Sequence, residues 1–172
     1  QEWVVVGRGE LRIYTRQGGS FALKDRLESP RSETFVKVSV GDGDRNGRPE
    51  IYLAGLYGSS IRTTVWEWSG TFKRLFDIPG NLRVLMDPVQ NQPVLIFQES
   101  RMDEPFHGDI YLMQYDGKGT LSRAGSLSHL NMAQFYTLAF ADLDRDGQLE
   151  YLGLDSFLRL HLWDENGTSL WD

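Results

Sequence analysis

Two stretches of this chain spell nearly the same phrase, and together they constrain the fold more than any other feature. Gly41-Asp42-Gly43-Asp44-Arg45-Asn46-Gly47-Arg48-Pro49-Glu50 runs into Ile51-Tyr52-Leu53, and Ala141-Asp142-Leu143-Asp144-Arg145-Asp146-Gly147-Gln148-Leu149-Glu150 runs into Tyr151-Leu152-Gly153. Counted from Asp42 and from Asp142, both put oxygen-bearing side chains at positions 1, 3, 5 and 9, with Gly at position 6. Calcium takes about six to eight hard oxygen ligands from carboxylates, amides and backbone carbonyls. Alternating acids aim every second side chain inward, and the Gly allows the turn that brings the position-7 carbonyl round. A solvated acidic turn without metal is the alternative, because Asp, Asn and Gly favour turns by themselves. Turn chemistry alone does not ask for oxygens at four alternating positions twice over.

The phrase differs from an EF-hand loop, which runs about twelve residues and ends in a bidentate Glu between amphipathic helices. Here the last acid falls at position 9. The first turn follows Phe35-Val36-Lys37-Val38-Ser39-Val40, which alternates with period 2, and the second follows the run from Phe135 to Phe140. Both are followed by short apolar runs interrupted by Gly. These are strand signals, so the unit is a strand, a calcium-coordinating turn and a strand.

A second phrase recurs alongside. Leu11-Arg12-Ile13-Tyr14-Thr15-Arg16-Gln17-Gly18-Gly19-Ser20-Phe21 matches Leu160-His161-Leu162-Trp163-Asp164-Glu165-Asn166-Gly167-Thr168-Ser169-Leu170 without a gap. The segments 64–72 and 110–121 have the same shape: an alternating strand, a Gly-bearing turn and a second strand. The turns fall at Gly18, Gly70, Gly119 and Gly167, about fifty residues apart, which is the range of propeller-blade repeats. Between the second and third hairpins lies a worn copy of the acidic phrase, Leu85-Met86-Asp87-Pro88-Val89-Gln90-Asn91-Gln92-Pro93-Val94-Leu95-Ile96-Phe97. It keeps Asp87 and Asn91, lacks the Gly, and has Val94 where Glu would stand. We expect a metal-free hairpin held by packing of Leu85, Leu95 and Phe97. The fold expected is all-β, made of about four four-stranded β-propeller blades over residues 1–28, 34–78, 82–128 and 135–172, the first and last incomplete. No helix is needed. A β-sandwich of similar strand count is the runner-up, disfavoured by the near-constant spacing.

The segment from Val38 to Leu53 resembles the FG-GAP/VCBS repeat of integrin α-subunit propellers and of many secreted bacterial proteins. Residues 138–163 are similar again, and Leu162-Trp163-Asp164-Glu165-Asn166-Gly167 continues the likeness. The resemblance extends over essentially the whole chain, with the worn copy in the middle. It implies a propeller, usually of seven blades, with calcium between the first and second strands of some blades. Carried onto this chain, it implies one calcium held by Asp42, Asp44, Asn46 and Glu50 with the Arg48 carbonyl. A second would be held by Asp142, Asp144, Asp146 and Glu150 with the Gln148 carbonyl. Asn46 departs from the more frequent Asp and leaves its loop one charge poorer, so the Asp142 turn is expected to bind more tightly. Glu2 aligns with position 9, without the carboxylates that should precede it. Closing a seven-bladed ring takes about twice this length. The chain is therefore expected to be part of a larger propeller, with a compact four-bladed module or the pairing of two copies as alternatives.

Composition narrows the function. A chain of 172 residues is ordinarily one domain, and 40% hydrophobic content allows it a sizeable core. The net charge of −6 argues against nucleic acid as a partner. No apolar run is long enough to span a bilayer. Cysteine is absent, which excludes disulfides and thiolate sites. With no signal peptide and with Gln1 in place of Met, the chain is expected to be a mature or excised piece. Weak calcium loops fill where the free ion is near millimolar, so the expected location is extracellular, cell-surface or periplasmic.

No nucleophile elbow, zinc-protease helix or phosphate-cradling loop occurs. The acids could serve as a glycosidase pair, but their alternation within one turn suits a metal better. His161, between Leu160 and Leu162, is expected to face solvent. The long connection from Ser100 to Gly108 is the candidate contact for a protein or glycan ligand, through Arg101, Phe106 and His107. Three functional classes stay open: an exported calcium-stabilised binding or adhesion module, the propeller portion of a larger secreted enzyme whose catalytic groups lie outside this chain, and a structural scaffold. Self-association is an option if the ring is incomplete.

Overall fold

The computed structural model describes residues 2–30, 33–100, 108–130, 133–134, 137–155 and 157–171. Over these the chain is all-β. The first sheet has three strands: β1 (Glu2–Val6), β2 (Glu10–Gln17) and β3 (Ser20–Glu28). The second has four: β4 (Glu33–Gly41), β5 (Glu50–Tyr57), β6 (Ser60–Trp68) and β7 (Phe72–Pro79). The third comprises β8 (Asn81–Asp87), β9 (Gln92–Gln98), β10 (Ile110–Tyr115) and β11 (Leu121–Ser126). The fourth comprises β12 (Ala139–Ala141), β13 (Glu150–Leu154), β14 (Leu160–Trp163) and β15 (Ser169–Trp171). Every sheet is an antiparallel meander in chain order. The hairpin glycines Gly18, Gly70, Gly119 and Gly167 all have positive φ, the conformation that tight turns ask of Gly.

Period 2 decides how the sheets stack. In β9, Leu95 and Phe97 join the apolar layer shared with Tyr52 and Val65 of the second sheet. Val94 and Ile96 point the other way, into the layer containing Trp163 and Phe140 of the fourth. The third sheet is thus buried on both faces. A third layer joins Leu11 and Ile13 of the first sheet to Phe35, Ile51 and Leu53 of the second. The sheets therefore lie face to face in sequence order, each contributing alternate residues to each neighbour. Burying side chains of this size contributes roughly 1.5–3 kcal/mol each.

Leading strands of successive sheets come especially close. The Val84 N–H in β8 donates to Ser39 Oγ in β4 (3.1 Å). Gly41 sits against the same Val84, where an added Cβ would lie 2.8 Å from a methyl group. Arg83 reaches onward and donates to the Leu138 carbonyl, 3.2 Å away, just before β12.

The worn copy forms a hairpin: β8 and β9 stay in register to Asp87↔Gln92, the last pair before the turn. The expected strand before the second acidic turn is short, Ala139–Ala141, and residues 135 and 136 lie outside the described ones. A 3-10 turn, Ser128–Leu130, stands where no helix was expected. It carries Leu130, fully buried, into the layer between the third and fourth sheets.

Candidate metal-binding turns

The two acidic turns adopt one backbone conformation. Positions 4 and 6 are left-handed in both: Arg45 and Gly47 at φ 60° and 88°, Arg145 and Gly147 at 66° and 90°. For Arg this region is uncommon. It is held by the acids themselves. In the first turn the Asn46 N–H donates to Asp42 Oδ1 (2.9 Å) and Asp44 Oδ1 (3.1 Å), and the Gly47 N–H to Asp42 Oδ2 (2.8 Å). In the second, the Asp146 N–H donates to Asp144 Oδ1 (3.1 Å) and the Gly147 N–H to Asp142 Oδ2 (3.2 Å). The N–H of Arg48 and that of Gln148 each donate to the position-5 side chain, at 2.8 Å in both.

The acid at position 9 starts the outgoing strand and reaches back over the turn. Glu50 Oε2 accepts from the Gly43 N–H (2.8 Å), and Glu150 Oε2 from the Leu143 N–H (2.6 Å). Both acids are buried, Glu50 completely. Ligand-capable oxygens of Asp42, Asp44 and Glu50 lie within 4.8 Å of one another, as do those of Asp142, Asp144 and Asp146. Glu150 lies outside the latter grouping but keeps the same contact to position 2 as Glu50.

Each turn also holds an orphaned oxygen. Glu50 Oε1 and Asp142 Oδ1 are buried and receive no hydrogen bond. A buried carboxylate oxygen without a donor costs free energy unless something positive faces it. Two full charges about 4 Å apart repel by ~1 kcal/mol in water and by ~4 kcal/mol at an effective dielectric of about 20. Accordingly the Glu50 carboxyl is pushed up to about 6, first by burial and further by the charges of Asp44 and Asp42, against the opposing bonds from Gly43 and Tyr52. A divalent cation would answer both the orphaned oxygens and the repulsion. The residues present therefore fit calcium, a hard ion that takes carboxylate, amide and carbonyl oxygens.

The surroundings of the turns differ. The Tyr52 hydroxyl donates to Glu50 Oε2 (3.0 Å), and Gly43 lies beneath that hydroxyl with no room for a Cβ. Asp44 presses on Gly117 in the β10–β11 turn, where a Cβ would come within 2.6 Å of its carboxylate. A cleft of about 460 Å³ runs from Asp44 and Arg45 to Met113 and Asp116. At the second turn, position 2 is Leu143, 59% exposed, and Leu152 replaces Tyr52. The only sequence signal for the Tyr52 contact is the Gly at position 2.

At the worn copy, Asp87 Oδ1 accepts from the N–H groups of Val89 (2.8 Å) and Gln90 (3.0 Å), so this acid caps its own turn. Leu95 and Phe97 are buried against the second sheet, and Leu85 packs on the opposite layer. Of the Ser100–Gly108 connection, the ends are described. Ser100 Oγ accepts from the Ile61 N–H (3.2 Å), and the Gly108 carbonyl accepts from Gln98 Nε2 (3.2 Å). Arg101, Phe106 and His107 lie outside the described residues. His161 differs from expectation. Its Nε2 lies 3.1 Å from Asp155 Oδ2, and its ring stacks on Trp163.

A scan against protein-family models finds no match for this chain, and a search of curated proteins finds no significant relative.

Proposed function

We propose that the chain is a calcium-stabilised β-propeller segment of the FG-GAP/VCBS kind, acting outside the cytosol in binding or adhesion to a protein or glycan. The observation that carries it is the pair of orphaned oxygens, Glu50 Oε1 and Asp142 Oδ1, at equivalent turns with matching backbone. The propeller part is supported by the stacking of four meander sheets in chain order and by the close approach of their leading strands. Asp42, Asp44, Asn46 and Glu50 would hold one ion, and Asp142, Asp144, Asp146 and Glu150 the other, with the carbonyls of Arg48 and Gln148 contributing. Calcium supplies charge neutralisation there, which locks the two strands of each hairpin at a fixed angle. Millimolar free calcium outside the cytosol suits such loops. Among the described residues, no helix is long and apolar enough to cross a membrane.

A structure determined in excess calcium tests the metal sites. Ions ringed by oxygens at about 2.3–2.6 Å in both turns are expected, and turns that stay metal-free would overturn the assignment. Binding is tested on glycan and extracellular-protein arrays with calcium and with chelator. Ligands retained only with calcium support the module; no ligand on either array removes the binding function.

A further inference from the structure

One position of the repeat is filled differently in successive sheets. Five residues after position 9 stand Gly55 in β5, Glu99 just past β9 and Asp155 just past β13. Glu99 pairs with Arg123 (2.7 Å), and Asp155 with Arg159 (2.8 Å). The Arg123 guanidinium also lies over the Tyr111 ring, 3.7 Å from its centre. In both cases an acid at this position closes on a cation. The second sheet keeps the cations and the aromatic but has no acid there. Arg62, the cross-strand partner of Gly55, stands over Tyr57, 5.7 Å from its ring centre. With Arg74 it pairs instead with Asp77, at 2.9 and 3.0 Å.

Glu33 enters the space that Gly55 leaves. A Cβ on Gly55 would fall 2.6 Å from Glu33 Oε1. That oxygen is buried and receives no hydrogen bond. Burial pushes the carboxyl up, and the charges of Arg74 and Arg62 pull against it, although both guanidiniums are paired with Asp77. Acid and cations thus face one cleft of about 400 Å³ between the first and second sheets, walled by Leu27, Tyr57 and Trp66. Small-molecule sites have volumes of about 300–1,000 Å³ and a few placed polar groups among apolar walls. The first sheet supplies its wall from β3, at the opposite edge of that sheet from β1.

The charges of the cleft balance, Arg62 and Arg74 against Glu33 and Asp77, and Glu28 at its rim has Arg26 as a partner (3.2 Å). The cleft therefore does not select for a net charge. Guanidinium groups only donate hydrogen bonds and an ionised carboxylate only accepts them. Asp77 engages one Nη of each Arg, so donors are left facing an acceptor across the cleft. The matching ligand is neutral, carries donors and acceptors on adjacent atoms, and has an apolar face for the rings. A pyranose meets all three conditions. We propose that this cleft binds one pyranose residue of a glycan, its hydroxyls bridging Glu33 to Arg62 and Arg74 and its C–H face lying against Tyr57 and Trp66. This deepens the binding function proposed above without resting on the metal turns: Glu33 opens β4, and the Asp42 turn follows the other end of that strand.

The test is saturation-transfer NMR on the full chain in calcium. The probes are the methyl glycosides of glucose, galactose, mannose and N-acetylglucosamine, beside alanine as a zwitterion and acetate as an anion. Transfer to at least one pyranoside is expected, and none to alanine or acetate. Arg62→Ala and Glu33→Ala should each weaken that binding about tenfold, as loss of a hydrogen bond to a charged group does. Arg123→Ala, where the acid already closes on the cation, should leave it unchanged. Arg62 is solvent-exposed, and unchanged circular dichroism would show that each variant folds. No transfer to any pyranoside overturns the inference, and a protein ligand found on the arrays would then still support the wider binding function. Transfer that survives both Arg62→Ala and Glu33→Ala also overturns it, because the sugar then sits elsewhere. A stronger response from alanine or acetate overturns it in favour of a charged ligand.

Discussion

The Asp42 and Asp142 turns share a backbone and a pattern of acids, yet they sit in different surroundings. The first is wedged between sheets: Glu50 is fully buried, Tyr52 donates to it, and Asp44 presses on Gly117 of the next sheet. The second lies in the end sheet, and both Asp144 and Asp146 are exposed. Charge number favours the Asp142 turn, with Asp146 where the other has Asn46. Asn46 also donates its side-chain amide to Asp44 Oδ2 (2.8 Å), occupying an oxygen that could face a metal. Burial makes the Asp42 turn the more sensitive to packing and to pH. On the calcium reading proposed above, the Asp142 turn would be the tighter ion site, and the Asp42 turn is the more constrained joint.

The largest effect that bears on this comparison is calcium removal. A ligand that binds only the native state at a hundredfold excess over Kd stabilises by about 2.7 kcal/mol per site. Two filled turns thus contribute ~5 kcal/mol, read as a lower melting midpoint in chelator. An unchanged midpoint would leave both turns as plain hairpins. Next is Gly43→Leu, which installs the residue found at position 2 of the other turn. It forces the Tyr52 hydroxyl off Glu50 in a packed interior, at a cost of about 3 kcal/mol. The reciprocal Leu143→Gly should cost under ~1 kcal/mol, as expected of an exposed site. Equal losses in denaturant unfolding would erase the distinction between the turns.

A smaller effect is pH. The Glu50 carboxyl titrates at about 6, above its ordinary 4.5. In the calcium-free protein the stability this gives is present below the ordinary value and lost as pH rises through about 6. Calcium needs the ionised form, so its affinity for the Asp42 turn should fall about tenfold between pH 7 and pH 5. The fall at the Asp142 turn should be smaller. Titrations of single-turn variants at both pH values check this, and parallel curves would contradict it. Of similar size is Tyr52→Phe, which removes one donor from Glu50 and should cost roughly 1–2 kcal/mol. Glu50→Gln, which keeps an acceptor oxygen but removes the charge, should lower that cost without abolishing it.

Strand order, hairpin glycines and both acidic turns were legible because each depends on local chemistry: period 2, positive φ at Gly, and alternating oxygens. The left-handed Arg45 and Arg145 were not, since Arg has no preference for that region and the carboxylates impose it. Tyr52 read as a core aromatic, and its bond to Glu50 depends on the register that points both at one turn. His161 was expected to face solvent from its place between two leucines. Asp155 draws it in from the turn after β13, together with Arg159, whose Nε donates to the same carboxylate (2.8 Å). Burial pushes Asp155 up, yet these bonds and the backbone N–H groups of Arg159 and Phe157 outweigh it and hold the carboxyl well below its usual range. Such contacts join residues whose sequence neighbourhoods carry no mark of each other.

The most direct test is a calorimetric calcium titration of the chelator-treated chain beside its Asp42→Ala and Asp142→Ala variants. Two ions per chain are expected for the unaltered protein and one for each variant, with the tighter site lost in Asp142→Ala. Fewer than two ions in the unaltered chain, or two in either variant, would contradict the assignment of both turns as calcium sites.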